Sequence, residues 1–258
     1  SGEMIPNRGT WLEFELDARD VIYVRIDRTR KVPFTTFLRA LGLSSDESIK
    51  EVFGENRFID NTLEKDNTKN TDEALIEIYE KLKPGEPATL DSAKNQLIVR
   101  FFDRFRYDLA KVGRYKFNKK LMFRNRIAGH RLAQDVLDPS TGEILFEAGV
   151  RLTKEQADAI QNAAVPYVWI LGEEDRRIKV LSSLMVDIRH YMPEIQDPKE
   201  ELGVTELVYY PAREQLMEEY EDADELKEAI KHHIHDLIPK HITEEDIFAS
   251  INYNLHLE

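Results

Sequence analysis

The 258-residue chain contains no cysteine. Disulfide bonds, thiolate zinc sites and a cysteine nucleophile are therefore excluded. No apolar run approaches the roughly 20 residues that a membrane-spanning helix needs, and no signal-peptide pattern opens the chain. These absences predict an intracellular protein without a membrane segment, and the length suffices for one or two domains with a sizeable core.

Sequence motifs of several enzyme classes are also missing. Neither of the glycine-rich phosphate loops, G-x-x-x-x-G-K-[ST] and G-x-G-x-x-G, occurs in the chain. There is no G-x-S-x-G elbow, and the 49 acidic residues show no spacing typical of a paired general acid and base. The sequence therefore disfavours a free-standing enzyme.

The net charge of −13 is distributed unevenly along the chain. Residues 1–121 carry 22 basic and 21 acidic side chains, whereas residues 122–258 carry 14 and 28. Within residues 100–124, nine basic side chains accompany only two acidic ones. The aromatic residues interleaved with them are Phe105, Tyr107, Tyr115 and Phe117. Such a stretch suits a surface that follows nucleic-acid phosphates, and the alternative is a solvated face over an ordinary core.

Residues 10–31 are predicted to form one β-hairpin. Apolar residues alternate in both halves, as in half-buried strands, and residues 17–20 form the turn. If Leu16 lies opposite Ile22, every apolar residue meets an apolar partner and Glu13 meets Arg25. A shift of one residue would lose both sets of pairs, so the pattern specifies this register.

The same register places Trp11 opposite Asp27, away from the apolar face. A flat ring beside a carboxylate, followed by Arg28, Arg30 and Lys31, is able to stack on a nucleobase and accept hydrogen bonds from it. The alternative is that another element covers Trp11 as ordinary core. Residue physics alone favours that alternative, because most tryptophans are largely buried.

Capping residues and apolar spacing predict the remaining elements. Residues 61–71 are expected to be a polar surface connection, and strands are predicted at 165–171, 179–186 and 205–210. Residues 212–237 are predicted to form one long, mostly acidic and solvated helix. Further helices are predicted to start at Pro33, at Ser44 or Ser45, at Thr71, at Thr153 and at Thr243. One more helix is predicted over 90–102.

Two clusters of metal-binding residue types lie in the acidic half. The histidines are His232, His233 and His235, with His241 nearby. His232 and His235 are three residues apart on a predicted helix, but a zinc site needs further ligands, so a surface histidine run is favoured. Asp222 and Asp224 form a D-x-D within an acidic run, which favours a solvated helix face. No metal site is predicted.

Several long segments resemble the β subunit family of bacterial DNA-directed RNA polymerase. They are IPNRGTWLEFELDARDVIYVRIDRTRK, LRALG, TLEKDNT, EALIEIYEKLKPGEPAT and RFRYDLAKVGRYKFNKKL. The closing HITEEDIFASINYNLHLE resembles the segment by which the β lobe returns toward the rest of that subunit. The resemblance implies that residues 1–121 and 241–258 form the β lobe (domain 2), and that residues 122–240 are a lineage-specific insertion of the Firmicutes type.

The predicted fold class is α+β. It comprises a helical lobe that bears an antiparallel hairpin, and an inserted small β-rich or mixed module that ends in the long acidic helix. In the family, the residues equivalent to Trp11 and Asp27 belong to a pocket for the non-template strand, in which the tryptophan stacks on one base and the aspartate helps to hold a flipped guanine. The resemblance thus favours a partly exposed Trp11.

The resemblance also implies partners and a division of labour. The expected partners are DNA and the β′, α and sigma subunits, in the cytoplasm at the nucleoid. The catalytic Mg²⁺ aspartates of the family lie in the β′ subunit as NADFDGD, a motif absent here, so no catalytic residue or cofactor is predicted in this chain. The residues predicted to contact nucleic acid are Trp11, Asp27, Arg28, Arg30, Lys31, Arg114, Lys116, Lys119 and Lys120. The alternative function is a docking platform for sigma or transcription factors through the acidic insertion.

Overall fold

The structure, a computed structural model, describes residues 2–255. The chain divides into two compact units: the first unit contains residues up to Ala110 and those from His241 onward, and the second unit is Lys111–Lys240. Both units combine helices with small antiparallel sheets, so the predicted α+β class is confirmed. The division falls before residue 121, and the identity of the second unit as a lineage-specific insertion stays a prediction.

The first unit opens with an antiparallel sheet of order β1-β2-β3-β4. Its strands are β1 Gly2–Met4, β2 Leu12–Leu16, β3 Ile22–Ile26 and β4 Val32–Pro33. The hairpin of β2 and β3 has the predicted register, from Leu16 opposite Ile22 to Leu12 opposite Ile26. In its turn, the Asp17 carboxylate accepts hydrogen bonds from the N–H groups of Arg19 and Val21, at 2.8 and 3.0 Å.

Helices follow the sheet along the chain. They are α1 Phe34–Ala40, α2 Asp46–Phe53, α3 Arg57–Lys65, α4 Thr71–Leu82, α5 Leu90–Leu97 and a π-helical turn at Ile98–Phe102. Ser45 caps α2 as predicted, in a reciprocal capping box with Ser48. The cap of α4 is Asn70, whose side chain accepts from the Glu73 N–H, so the prediction of a Thr71 cap is wrong by one residue.

The expected surface connection at 61–71 is partly wrong. Its first residues complete α3, and Asp66, directly after the helix, is 3% exposed. The Asp66 carboxylate accepts hydrogen bonds from Thr35, Thr36, Thr68 and Arg39, at 2.5 to 3.1 Å. Burial opposes ionisation of Asp66, but these hydrogen bonds together hold its pKa below the ordinary value. A polar sequence here forms a buried network rather than a solvated loop.

The second unit contains the basic helix and several short strands. Its helices are α6 Ala110–Lys120, α7 Phe123–Ile127, α8 Lys154–Asn162, α9 Pro198–Leu202, α10 Tyr210–Glu219, α11 Ala223–His232 and α12 Ile234–Leu237. Its strands are β5 Arg131–Leu132, β6 Val136–Leu137, β7 Ile144–Phe146, β8 Tyr167–Leu171, β9 Arg177–Leu181, β10 Met185–Val186 and β11 Val208–Tyr209. They pair antiparallel as β5-β8-β9, β6-β7 and β10-β11.

The prediction of one long helix over 212–237 is wrong. Three helices, α10, α11 and α12, cover this stretch. The Asp222 carboxylate starts α11 by accepting from the N–H groups of Asp224 and Glu225, at 3.1 and 3.0 Å. These helices are only partly solvated, because Leu216, Leu226 and other residues enter an apolar core. The acidic composition favours helix but does not show where the chain turns.

The remaining predicted strands and caps of the second unit are partly confirmed. The 179–186 stretch is interrupted between β9 and β10, and only two residues of 205–210 are in β11. Thr153 and Gln156 form the predicted capping box of α8. A second core, which includes Ile127, Val168 and Val180, lies among α7, α8 and the β5-β8-β9 sheet.

The last helix, α13 Glu244–Leu255, returns to the first unit. Thr243 caps it as predicted, since its hydroxyl accepts from the Asp246 N–H while Asp246 accepts from the Thr243 N–H. Phe248 packs edge-on against Phe53 of α2, with ring centroids 5.9 Å apart, and α13 also contacts β1. Within residues 2–255, every helix is too short or too polar to cross a bilayer.

Candidate nucleic-acid interface

Trp11 and Asp27 lie side by side at the open end of the β2–β3 hairpin. The backbone N–H of Trp11 donates to Asp27 Oδ1 at 2.8 Å, and the backbone N–H of Asp27 donates to the Trp11 carbonyl at 2.8 Å. Trp11 is 47% exposed, which confirms the expectation from the resemblance and overturns the core interpretation that residue physics favoured. The structure therefore presents an open indole ring beside a carboxylate.

The backbone of Asp27 is held in a specific conformation. Its φ of +53° lies in the left-handed region, which aspartate tolerates better than most residues because its short side chain forms local hydrogen bonds. The turn is closed by Thr29, whose N–H and hydroxyl both donate to the Ile26 carbonyl, at 3.2 and 2.7 Å. The position of the carboxylate is thus set by the turn and by Trp11.

Arg100 is a neighbour of Asp27 that sequence reasoning did not assign to this site. Its Nη1 donates to Asp27 Oδ2 at 3.1 Å and its Nε to Gln96 Oε1 at 3.3 Å. Arg100 lies in the π-helical turn, a feature found frequently at functional sites. The basic stretch contained this residue, but no local spacing connects it with Asp27, 73 residues away.

The cations that follow Asp27 do not all face the same environment. Arg28 and Arg30 are exposed beside the pair. Lys31 is also exposed, but its Nζ lies 3.9 Å from Glu15 and 4.4 Å from the centroid of the Tyr23 ring. Lys31 therefore already has an anionic and an aromatic neighbour, whereas the structure gives no such neighbour for Arg28 or Arg30 among the residues it describes.

A second exposed group of the first unit lies after the π-helical turn. Phe105 is 72% exposed, and the Arg104 guanidinium lies 4.7 Å from the centroid of its ring. Arg8 joins this loop to the segment before Trp11, because it pairs through its backbone with Asp108 and donates from Nη2 to the Phe105 carbonyl at 3.0 Å. An aromatic ring and several cations thus accompany the Trp11–Asp27 pair on the same unit.

The prediction for Arg114 needs correction. Arg114 is 1% exposed, and its Nε donates to the Pro239 carbonyl at 2.5 Å while its Nη1 donates to Asn118 at 3.4 Å. A side chain enclosed in this way is not available to a phosphate. Arg114, near the start of the second unit, is instead connected to Pro239 near its end, 125 residues away in sequence.

The other basic residues of α6 remain on the surface. Lys116, Lys119 and Lys120 are exposed, and Tyr115 beside them is 54% exposed. The predicted aromatic Tyr107 is instead part of the core of the first unit, at 0% exposure. The basic stretch of the sequence is therefore divided: part of it accompanies Trp11 on the first unit, and part forms a separate lysine surface on α6 of the second.

An exposed aromatic ring with cations around it is typical of surfaces that bind single-stranded nucleic acid, and the Asp27 carboxylate adds hydrogen-bond acceptors beside the ring. A comparison with protein families finds a match: the family model described as RNA polymerase Rpb2, domain 2, matches residues 1–137. The match covers more than half of the chain, and the chain belongs to this family.

Individual relatives extend the similarity to the full chain. The chain is 50% identical over 258 residues to the DNA-directed RNA polymerase subunit beta of Alkaliphilus metalliredigens (strain QYMF). It is 49% identical over 257 residues to the subunit of Alkaliphilus oremlandii (strain OhILAs), and 48% over 257 residues to that of Clostridioides difficile (strain 630). Each match covers 100% of this chain, including the second unit, but the chain spans only 20% of the length of these curated relatives.

Proposed function

We propose that this chain is a non-catalytic lobe of the β subunit of bacterial DNA-directed RNA polymerase. The lobe forms part of the DNA channel and contacts the non-template strand and downstream DNA. Family membership and the full-chain similarity to β subunits support the assignment to the enzyme. The observation that carries the DNA contact is the open ring of Trp11 beside the fixed carboxylate of Asp27.

The geometry of the pair suits recognition of an unstacked base. The exposed indole offers a face on which a base stacks, an interaction worth about 1–3 kcal/mol per base. Each oxygen of Asp27 accepts one hydrogen bond, from Trp11 and Arg100 respectively, and a carboxylate oxygen has a second lone pair. Asp27 is therefore able to accept two adjacent N–H donors, as guanine presents with N1–H and its exocyclic amine.

Surrounding cations supply affinity without sequence information. Arg28 and Arg30 are exposed next to the pair, and each phosphate contact by such a cation adds to the salt dependence of binding. The lysines of α6 are a second candidate surface for phosphates. Catalysis, its Mg²⁺ and the α, β′ and sigma contacts belong in this proposal to the complete cytoplasmic enzyme.

The test substitutes Trp11 in a complete polymerase that carries this lobe. Trp11→Ala removes the stacking platform. The ratio of open-complex occupancy between promoters that differ at the non-template base near the start site should therefore fall by roughly fivefold or more, as a loss of about 1 kcal/mol implies. Open-complex formation on promoters that vary at this base provides the measurement.

Trp169→Ala is the matched control, because it makes the same chemical change at the chain's other tryptophan, in β8 of the second unit. It should leave the base preference unchanged. If polymerase with Trp11→Ala retains the base preference of the unsubstituted enzyme, the proposed recognition is wrong.

A second candidate function is a docking platform in the second unit. Its supporting observation is the acidic turn between α10 and α11, where every acidic side chain of 218–225 is exposed. Such a surface suits a basic segment of sigma or of a transcription factor. Replacing the whole second unit, 111–240, with a short flexible linker should preserve RNA synthesis and remove a bound factor in pull-down experiments. Retention of every factor would contradict this function.

A further inference from the structure

The end of α11 brings together three side chains that the sequence pattern did not group. His233 both ends α11 and precedes α12, so the helix does not continue and His232 and His235 do not share a helical face. Instead His233, His235 and Asp236 converge, with one potential ligand atom from each lying within 4.8 Å of the others. We call these three residues the histidine–aspartate cluster.

We propose that the histidine–aspartate cluster is a binding site for a divalent transition metal ion of the zinc type. Two imidazoles and one carboxylate are a ligand set that zinc accepts in three-ligand sites, with water in the fourth position. Imidazole ligands favour zinc, nickel, copper or iron over magnesium and calcium, which prefer oxygen ligands. The absence of cysteine from the chain leaves nitrogen and oxygen as its only zinc ligands.

Two of the three distances within the cluster match tetrahedral coordination. With metal–ligand bonds of about 2.0–2.1 Å, two ligand atoms of a tetrahedral zinc ion lie roughly 3.3 Å apart. His233 Nδ1 is 3.2 Å from Asp236 Oδ2, and His235 Nε2 is 3.5 Å from the same oxygen. An ion bound by these three atoms would need little movement of the carboxylate, and the two imidazole nitrogens, which lie within 4.8 Å of each other, would need to approach by at most about 1.5 Å.

The cluster is accessible to solvent, and backbone hydrogen bonds hold the turn that carries it. The three side chains are 39%, 46% and 47% exposed, so an ion reaches them from solvent and the fourth position is open to water. The backbone turn that joins the helices is held by the N–H groups of Asp236 and Leu237, which both donate to the His233 carbonyl. Binding would therefore connect the end of α11 to α12 through a cross-link of four residues.

The experiment titrates Zn²⁺ into the 258-residue chain and follows heat release, with Co²⁺ absorption as a second readout of coordination. We expect one saturable site, a tetrahedral Co²⁺ spectrum and a thermal unfolding midpoint that rises with Zn²⁺ concentration. Mg²⁺ and Ca²⁺ should give none of these effects. Loss of outer-shell partners alone weakens metal sites about 10–100-fold, so His233→Gln, His235→Gln and Asp236→Asn should each weaken binding at least tenfold.

His232→Gln is the matched control, because His232 is exposed in the same run and lies outside the cluster. Its affinity for Zn²⁺ should equal that of the unsubstituted chain. The proposal is overturned if Zn²⁺ does not saturate a site, if Co²⁺ remains octahedral, or if His232→Gln weakens binding as much as the cluster variants do. Circular dichroism of each variant without metal verifies that the helices are intact.

Discussion

Single residues in this protein differ in whether local sequence determines their role. The position of Trp11 opposite Asp27 follows from alternation over ten neighbouring residues, and the structure has this register. The burial of Arg114 and Asp66 does not follow from local pattern, because their partners are distant: the Pro239 carbonyl for Arg114, and the side chains of α1 for Asp66. A charged residue in a polar stretch is normally solvated, and only tertiary contacts reverse that expectation.

The buried Asp66 network makes the free energy of unfolding depend on pH. Because the pKa of Asp66 is lowered in the folded state, the carboxylate contributes stability at all pH values above its ordinary pKa of 3.8, and this contribution is lost as the pH falls through the lower folded-state value. Asp66→Asn should lower the free energy of unfolding by about 3 kcal/mol at pH 7, since it removes one partner of a buried ion pair with Arg39.

Urea denaturation of both proteins between pH 7 and about pH 2 provides the measurement, and the difference between them should hold above pH 3.8 and shrink below it. Asp60→Asn is the control, because Asp60 forms an exposed pair with Lys50 at 3.7 Å that is worth about 0–1 kcal/mol. A difference for Asp66→Asn that stays constant over this pH range would contradict the assignment.

At the scale of elements, the starts of helices could be predicted from the sequence where a capping residue precedes an apolar helical pattern. Ser45, Thr153 and Thr243 cap helices as their spacing predicts. The division of 212–237 was not predictable in the same way. Asp222 is an acceptable helix residue in an acidic run, but here it caps α11. Apolar residues of both α10 and α11 enter one core, a tertiary arrangement that the local composition does not show.

The break before α11 predicts the effect of a substitution at Asp222. Its carboxylate satisfies two N–H groups that otherwise have no helical partner, so Asp222→Ala should cost about 1 kcal/mol of stability in the second unit. Glu221→Ala, at the exposed preceding residue, is the control and should change stability by less than about 0.5 kcal/mol. Equal effects of the two substitutions in thermal unfolding would show that Asp222 is not the cap.

At the scale of the whole molecule, the two units differ in continuity. The second unit is one uninterrupted segment with two cores of its own, and Arg114 joins the regions near its two ends. The first unit is formed from two segments, and its last helix packs on β1 and on Phe53. Composition shows the change in charge between the halves, but not that residues 241–255 complete the first unit.

This difference predicts how separated segments behave. Residues 111–240 expressed alone should unfold cooperatively, because their core contacts lie within the segment. Residues 1–110 alone should lack a cooperative transition and regain it when a peptide of 241–258 is added. Thermal unfolding followed by circular dichroism tests both statements. A cooperative transition of 1–110 without the peptide would contradict the dependence on α13.

The packing of α13 on β1 also sets an order of events during translation. β1 and Phe53 are made before Lys111–Lys240, and their helical partner α13 follows only after those 130 residues have been made. At about 5–20 residues per second, this interval lasts on the order of ten seconds. Throughout it, the apolar surfaces of β1 and Phe53 that α13 will cover face solvent or a chaperone, while the intervening segment is already free to fold. The nascent first unit is therefore the part of this chain most exposed to misassembly.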